Sequence, residues 1–348
     1  MLKSLSKRKK IIIAVCSAVI VLIGVIYAIF FHYYSLLNFE PLEEKTSLEY
    51  VEDETDSDLS NSSQSDIADM ENSIDNNISS VTELSSKYVQ NFLLIGTDSR
   101  STGGRGRSDA MILVSINSQS KKIILTSFLR DIYIYIPSVG KNRLNASYAY
   151  GGASLLLETL RQNFGITCDK YASVNFFSFI DIIDALGGVG LNVTSAEIGQ
   201  INHNLKEINK LKGLAPNTHA INSSQAGWIH LNGSQALAYA RIRYIGTDFG
   251  RTDRQRKIIT SLISSFKNAS VGELNSFANK VLPLVSTNLT QGDLMKLLSS
   301  IGTYRNYEVQ SQSIPASGTY SFVTVNKMSV ISMNFEKNIQ ILKESIYQ

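Results

Sequence analysis

Apolar and polar positions alternate on three scales along this chain. The coarsest is a single block, residues 11–31, which runs for 21 positions without a charge. That length crosses a bilayer as a helix. The block ends in Ile29, Phe30 and Phe31, with Tyr33 and Tyr34 just beyond, and bulky aromatic residues of this kind settle at a membrane interface. A cleaved signal would be shorter and end in small residues, so the block reads as a retained anchor. The second scale is the short run. Residues 89–95, 110–116, 122–128 and 131–136 are rich in Ile, Leu, Val and Tyr and are separated by turn residues, which predicts four strands with a turn at 117–121. A further strand is expected to end at 173–175 and another to cover 308–313. The third scale is helical. Leu156, Leu157, Leu160 and Phe164 share one face of a helix over 153–164, behind Gly151 and Gly152. Helices are also predicted over 177–186, 231–240, 294–301 and 334–346, the first of these capped at its end by Gly187 and Gly188 and the second at its start by Asn232 or Ser234. Strands that alternate with helices define a three-layer α/β/α sandwich with a central mixed sheet, preceded by one transmembrane helix.

One helical pattern breaks its own rule. Ile258, Ile259, Leu262, Ile263 and Phe266 form a buried stripe, and that stripe, carried backwards, passes through Gln255 and Arg251. Around them, residues 236–256 hold Arg241, Arg243, Arg251, Arg254 and Arg256. A guanidinium on a core-facing stripe is costly unless an anion meets it. Five arginines against Asp248 and Asp253 leave an excess of charge, which favours a bound anion. Arg256 and Lys257 fall off the stripe and are expected in solvent.

Charge is divided by region. Residues 1–39 carry five Lys or Arg and no acid, residues 40–87 carry 14 Asp or Glu and two Lys, and residues 88–348 have a net charge of +10. Basic residues before the apolar block place the N-terminus in the cytoplasm and everything after the block outside. The organisation expected is therefore a cytoplasmic tail over 1–10, a transmembrane helix over 11–31, an acidic disordered extracellular linker over 32–87 and an extracellular domain over 88–348. A basic domain needs a polyanionic partner, but outside a membrane that partner is not chromosomal nucleic acid. Cys16 lies in the apolar block, so it cannot form a structural disulfide with Cys168. Cys168 reads as a packing residue, and the four histidines show no metal-ligand spacing.

The remaining chemistry gathers at strand ends. Asp98 follows the first strand of the domain and Asp109 precedes the second, with Arg100 and Arg107 in the loop between them. The second and third strands pair as a hairpin, so Arg130 and Asp131, after the third, return to the same edge. Ligands in α/β sheets favour such edges. Two carboxylates beside arginines, without histidine or thiol, suit Mg²⁺ next to phosphate. No phosphate-binding P-loop run is present, and no histidine accompanies a strand-end serine cluster.

Seven blocks in order, GTDSR (96–100), RSDAM (107–111), SFLRD (127–131), KNRLNASYAYGG (141–152), DALGGV (184–189), LNGSQALAYARIR (231–243) and DFGRTDRQ (248–255), resemble the LytR-CpsA-Psr family of bacterial cell-wall enzymes. The resemblance implies a transferase that takes an anionic glycopolymer, such as a teichoic acid, from a polyprenyl-pyrophosphate carrier. The polymer would be joined to peptidoglycan through a phosphodiester. It also implies that Asp98 and Asp109 hold Mg²⁺, that Arg130, Arg241, Arg243, Arg251 and Gln255 clamp the pyrophosphate, and that the apolar interior holds the lipid. Asp131 is open to two roles, general base or a group that orients Arg130. The family block usually has Pro where Leu129 stands, and residues 196–225 are a polar insertion outside the shared pattern. Two other classes remain: a non-catalytic surface receptor for polyprenyl phosphates and a membrane-bound transcriptional attenuator. Ten residues before the anchor are too few for a DNA-binding segment.

Overall fold

In the computed structural model, residues 31–42, 48, 55, 59–98, 106–242, 245, 248–268 and 270–348 are described. The first elements are β1 (Asn38–Phe39), α1 (Gln64–Ser80), β2 (Val89–Thr97), β3 (Ser108–Asn117), β4 (Lys122–Phe128), β5 (Tyr133–Ile136) and β6 (Gly140–Arg143). Next come α2 (Leu144–Phe164), β7 (Tyr171–Val174), α3 (Phe176–Ala185), β8 (Val189–Val193), α4 (Ser195–Leu211), β9 (Gly227–Leu231) and α5 (Gly233–Ala240). The chain closes with α6 (Asp248–Asn268), α7 (Val271–Val281), β10 (Ser286–Thr287), α8 (Gln291–Tyr304), β11 (Glu308–Ile314), β12 (Tyr320–Val325), β13 (Met328–Met333) and α9 (Phe335–Tyr347).

Seven strands form the central sheet in the order β1-β10-β7-β2-β3-β4-β11. The sheet is mixed: β2 is antiparallel to β3 and parallel to β7, and β4 is antiparallel to β3 and parallel to β11. Alternation along the strands supplies both faces. Leu93, Ile95, Met111, Leu113 and Ile124 point to one side, where they join Leu156, Leu160 and Phe164 of α2 and Leu342 and Ile346 of α9. Ile112, Ile116, Ile123 and Leu125 point to the other, against Ile259 and Ile263 of α6. A third cluster joins α3, α4, α5 and the β8–β9 hairpin, with Ile258 and Leu262 of α6 on its edge. Helices thus cover both faces, as the sequence predicts. Cys168 packs against the main core, and burial pushes its thiol up to about 12.

Four expectations change. The acidic linker is not wholly a solvated tether. Ile67, Met70, Ile74 and Asn77 form one stripe of α1, and Met70 and Ile74 are buried in the main core. Asn77 Nδ2 donates to Asn163 O at 2.8 Å, and the acids of the outer face meet Lys141, whose Nζ lies 2.9 Å from Asp75. The polar composition that suggested disorder is the solvent face of an amphipathic helix. Residues 196–225 are not simply a polar insertion either. They contain most of α4, capped by Thr194 and Glu197, with Ile198, Ile201, Leu205 and Ile208 buried. The helix predicted from 153 begins at Leu144 and is kinked at Gly151 and Gly152, whose backbones leave the helical region. Arg256 is not in solvent: it is 9 % exposed, whereas Lys257 is exposed and lies 2.9 Å from Asp253. Leu129, in the position usual for Pro, donates its N–H to Ile314 O at 2.9 Å, a bond that proline cannot make. The predicted anchor lies outside the described residues except for Phe31. Among the described residues no helix is long and apolar enough to cross a membrane.

Candidate active site

The C-terminal ends of β2, β4 and β7 and the start of β3 meet at one edge of the sheet. A bulge shapes that edge. Gly96 pairs with Ala110 and Thr97 pairs with Ser108, which leaves Asp109 as the extra residue of β3. Bulges re-aim side chains in this way at sites. Asp109 Oδ1 accepts from Arg130 Nη1 at 2.8 Å. Arg130 Nε lies 3.3 Å from Asp131 Oδ2, and Arg143 Nη1 lies 3.6 Å from Asp131 Oδ1. Acids and guanidiniums therefore alternate, Asp109–Arg130–Asp131–Arg143, with Asp131 8 % exposed between two cations. Asp98 closes the neighbouring loop: its backbone N–H donates to Arg107 O at 3.1 Å, and its Oδ1 accepts the Arg107 N–H at 2.7 Å.

Next to this cluster opens a cavity of about 280 Å³ between the sheet and helices α3, α5 and α6. Its walls are almost entirely apolar, including Leu94, Ile112, Phe179, Ile183, Ile258 and Leu262. Its polar lining is concentrated in Thr97, Asp109, Asn175, Arg241, Arg251 and Gln255. Arg251 is 2 % exposed, and Gln255 has a buried Oε1 with no hydrogen-bond partner among the described residues. One turn of α6 separates the two, so the helical period that carries the apolar stripe also aims them at the cavity. Arg241, at the C-terminus of α5, lies with its guanidinium 4.9 Å from the centre of the Phe176 ring and 3.1 Å from Glu207. Its Nη1 is buried and makes no hydrogen bond among the described residues.

The structure thus brings together Asp98, Arg107, Asp109, Arg130, Asp131, Arg241, Arg251 and Gln255. Arg100 and Arg243 lie outside the described residues. Arg254, on the same stretch, does something else. Its Nε lies 2.9 Å from Glu197 Oε1, and its Nη2 donates to Ile245 O at 2.9 Å. Sequence reasoning missed three participants. Arg143 stands inside one of the matched blocks, but nothing in its spacing pointed to Asp131. Phe176 and Glu207 reach Arg241 only through the fold. Burial, which comes first, raises the Glu197 carboxyl, but bonds from Thr194 and Arg254 outweigh it and hold the group below its usual range. Desolvation lowers Arg256.

A sheet edge that carries carboxylates and arginines thus lies beside a largely apolar cavity. The chain belongs to the LytR_cpsA_psr family, which it matches over residues 53–344. It is 32 % identical over 257 residues to the regulatory protein MsrR of Staphylococcus aureus (strain COL), covering 72 % of each chain. It is 30 % identical to the polyisoprenyl-teichoic acid–peptidoglycan teichoic acid transferase TagU of Enterococcus faecalis (strain ATCC 700802 / V583), covering 75 % of this chain and 83 % of that one. Its fold is similar to that of Bacillus subtilis YwtF (TagT) with bound octaprenyl pyrophosphate lipid, at a TM-score of 0.56 and 23 % identity, over 78 % of this chain and 96 % of that one.

Proposed function

We propose that this chain is a glycopolymer transferase that moves an anionic polymer from a polyprenyl-pyrophosphate carrier to peptidoglycan through a phosphodiester bond. The observation that carries this reading is the largely apolar cavity whose lining also includes Asp109, Arg241, Arg251 and Gln255. A long apolar tail fits the walls, and a pyrophosphate fits the arginine forks, which match phosphate oxygens bidentately. The similarity to TagU and to a lipid-bound TagT supports the same assignment. In the reaction, an acceptor hydroxyl oxygen attacks the phosphorus on the polymer side. The bridging P–O bond breaks, polyprenyl phosphate leaves, and the hydroxyl's proton passes to the leaving phosphate oxygen or to water. Such a transfer needs charge neutralisation and alignment more than covalent help from the protein. Arg130, Arg241 and Arg251 supply the first. Asp131, held between two guanidiniums, fits the orienting role better than that of a base.

The site also suits Mg²⁺. Asp98 and Asp109 are carboxylates on either side of one loop, and Mg²⁺ typically takes one or two carboxylates, with phosphate oxygens and waters completing its shell. No group of three or more potential metal ligands exists among the described residues. When bound, the ion would neutralise charge on the pyrophosphate and stabilise the leaving group. The apolar block at 11–31 would anchor the enzyme with its N-terminus in the cytoplasm and its catalytic domain outside. Asp98→Ala and Asp109→Ala test the assignment. Each should reduce transfer by at least about a hundredfold and remove the magnesium dependence of pyrophosphate binding, with the fold intact by thermal melting. Normal turnover in chelator-treated buffer would make the pair structural. Lipid binding without turnover in the unaltered protein would favour a surface receptor.

A further inference from the structure

The outer face of the β8–β9 hairpin has no part in the site just described. It carries Trp228, the only tryptophan of the chain, at 77 % exposure. Large aromatic side chains are usually at least partly covered, so this degree of exposure is unusual. The indole is nevertheless not loose. It lies across Gly190 of the partner strand, where a Cβ would come within 2.7 Å of its Cζ2 and 3.1 Å of its Cε2. Glycine at 190 leaves the flat floor on which the ring rests, and the ring's other face looks into solvent. His230 sits two residues on, directly opposite Gly190, and is likewise seated over a glycine, Gly188. Its Nε2 is 2.7 Å from Gly187 O, and because a carbonyl only accepts, Nε2 carries a hydrogen, which leaves Nδ1 as the acceptor of a neutral ring. Asn192, exposed and directly opposite Trp228, adds an amide.

We propose that this face is a stacking platform for an uncharged sugar ring of a glycan strand. An exposed indole fixed on its back side presents a flat apolar surface to the C–H face of a sugar, at little further cost in side-chain freedom. Asn192 and His230 Nδ1 offer hydrogen bonds to hydroxyl or amide groups at the ring's edge. Charge supports the choice. Residues 88–348 carry a net charge of +10, yet neither β8 nor β9 contains a charged Lys, Arg, Asp or Glu. A surface that met an anionic bilayer would carry Lys or Arg beside its aromatic residue. The hairpin also lies close to the chemistry: α5, roughly 12 Å long at 1.5 Å per residue, leads from Asn232 to Arg241 at the cavity. The identification of this sugar with the acceptor strand rests on the proposed function; the platform itself does not.

Because Trp228 is the sole tryptophan, its fluorescence reports on the platform directly. The detergent-solubilised full chain is titrated with a β-1,4-linked N-acetylglucosamine hexasaccharide and, separately, with phosphatidylglycerol vesicles. The oligosaccharide should shift the emission saturably, and the vesicles should not. By calorimetry, Trp228→Ala should weaken oligosaccharide binding about tenfold, equivalent to about 1.4 kcal/mol, and Trp228→Phe should restore part of it. Binding of polyprenyl pyrophosphate should be the same in all three proteins. Emission that the oligosaccharide leaves unmoved, emission that only the vesicles move, or equal oligosaccharide binding by Trp228→Ala would each overturn the platform. Transfer activity with no effect of the oligosaccharide would remove the platform alone. A saturable shift in a protein without transfer activity would keep the platform and remove the transferase reading.

Discussion

Two acid–arginine groups are largely withdrawn from solvent, and they serve different ends. Glu197 and Arg254 form a closed pair. Thr194 N–H and hydroxyl both donate to Glu197 Oε2 at 3.0 Å, and Arg254 donates to Glu197 Oε1 and to the carbonyl of Ile245. Their side chains are 6 % and 11 % exposed, and neither residue lines the cavity. This pair ties the loop before α6 to α4. The chain Asp109–Arg130–Asp131–Arg143 is equally well paired, but its Asp109 end opens onto the cavity beside Arg241, Arg251 and Gln255. One group spends its charges on the fold; the other keeps charge at a surface that a phosphate can reach. Burial and pairing alone therefore do not mark a functional arginine. What separates the two groups is whether an open cavity adjoins them.

Removing one partner of each group should separate them most sharply. Arg254→Met leaves the Glu197 carboxylate buried without its guanidinium, at a cost of about 3–5 kcal/mol, or a fall in Tm of about 10 °C. Arg130→Lys keeps a cation between Asp109 and Asp131, so Tm should stay within about 3 °C while transfer falls at least about a hundredfold. Calorimetric melting and a transfer assay on both variants check this. Similar losses of Tm in both would erase the distinction. A smaller effect is expected at the cavity wall: Arg251→Lys loses the planar fork and should weaken polyprenyl pyrophosphate binding about tenfold, read by titration calorimetry. Unchanged affinity would take Arg251 out of the anion site.

The smallest effect concerns acid. Although desolvation raises the Glu197 carboxyl, its bonds to Thr194 and Arg254 place it below the ordinary value of 4.5. A carboxyl depressed by folding contributes stability that is complete above that ordinary value and is lost as pH falls through the folded one. Glu197→Gln should therefore flatten the acid limb of the stability curve below about pH 4.5, read from urea unfolding midpoints taken from pH 6 to 3. An unchanged acid limb would show that the pair carries no pH-dependent stability.

The central strands were legible because continuous runs such as 110–116 and 122–128 suit strands covered on both faces. The position of Asp98, Asp109, Arg130 and Asp131 at one edge followed from the hairpin of β3 and β4, since pairing order alone decides which strand ends are neighbours. Arg251 and Gln255 were legible because the helical period carries a buried stripe through them. These properties are local or nearly so, and the chain's own spacing contains them. The roles of α1 and α4 are of another kind. Both helices are polar in average composition, and their apolar stripes acquire meaning only from the surfaces that cover them, the main core for Met70 and Ile74 and the third cluster for Ile201 and Leu205. The division of labour between Arg254 and Arg251 belongs to the tertiary structure as well. They are three residues apart on one helix, and their different fates depend on Glu197, 57 positions away from Arg254, and on the cavity beside Arg251. A guanidinium's role is set by the charge and space around it, and those come from parts of the chain that only folding brings near.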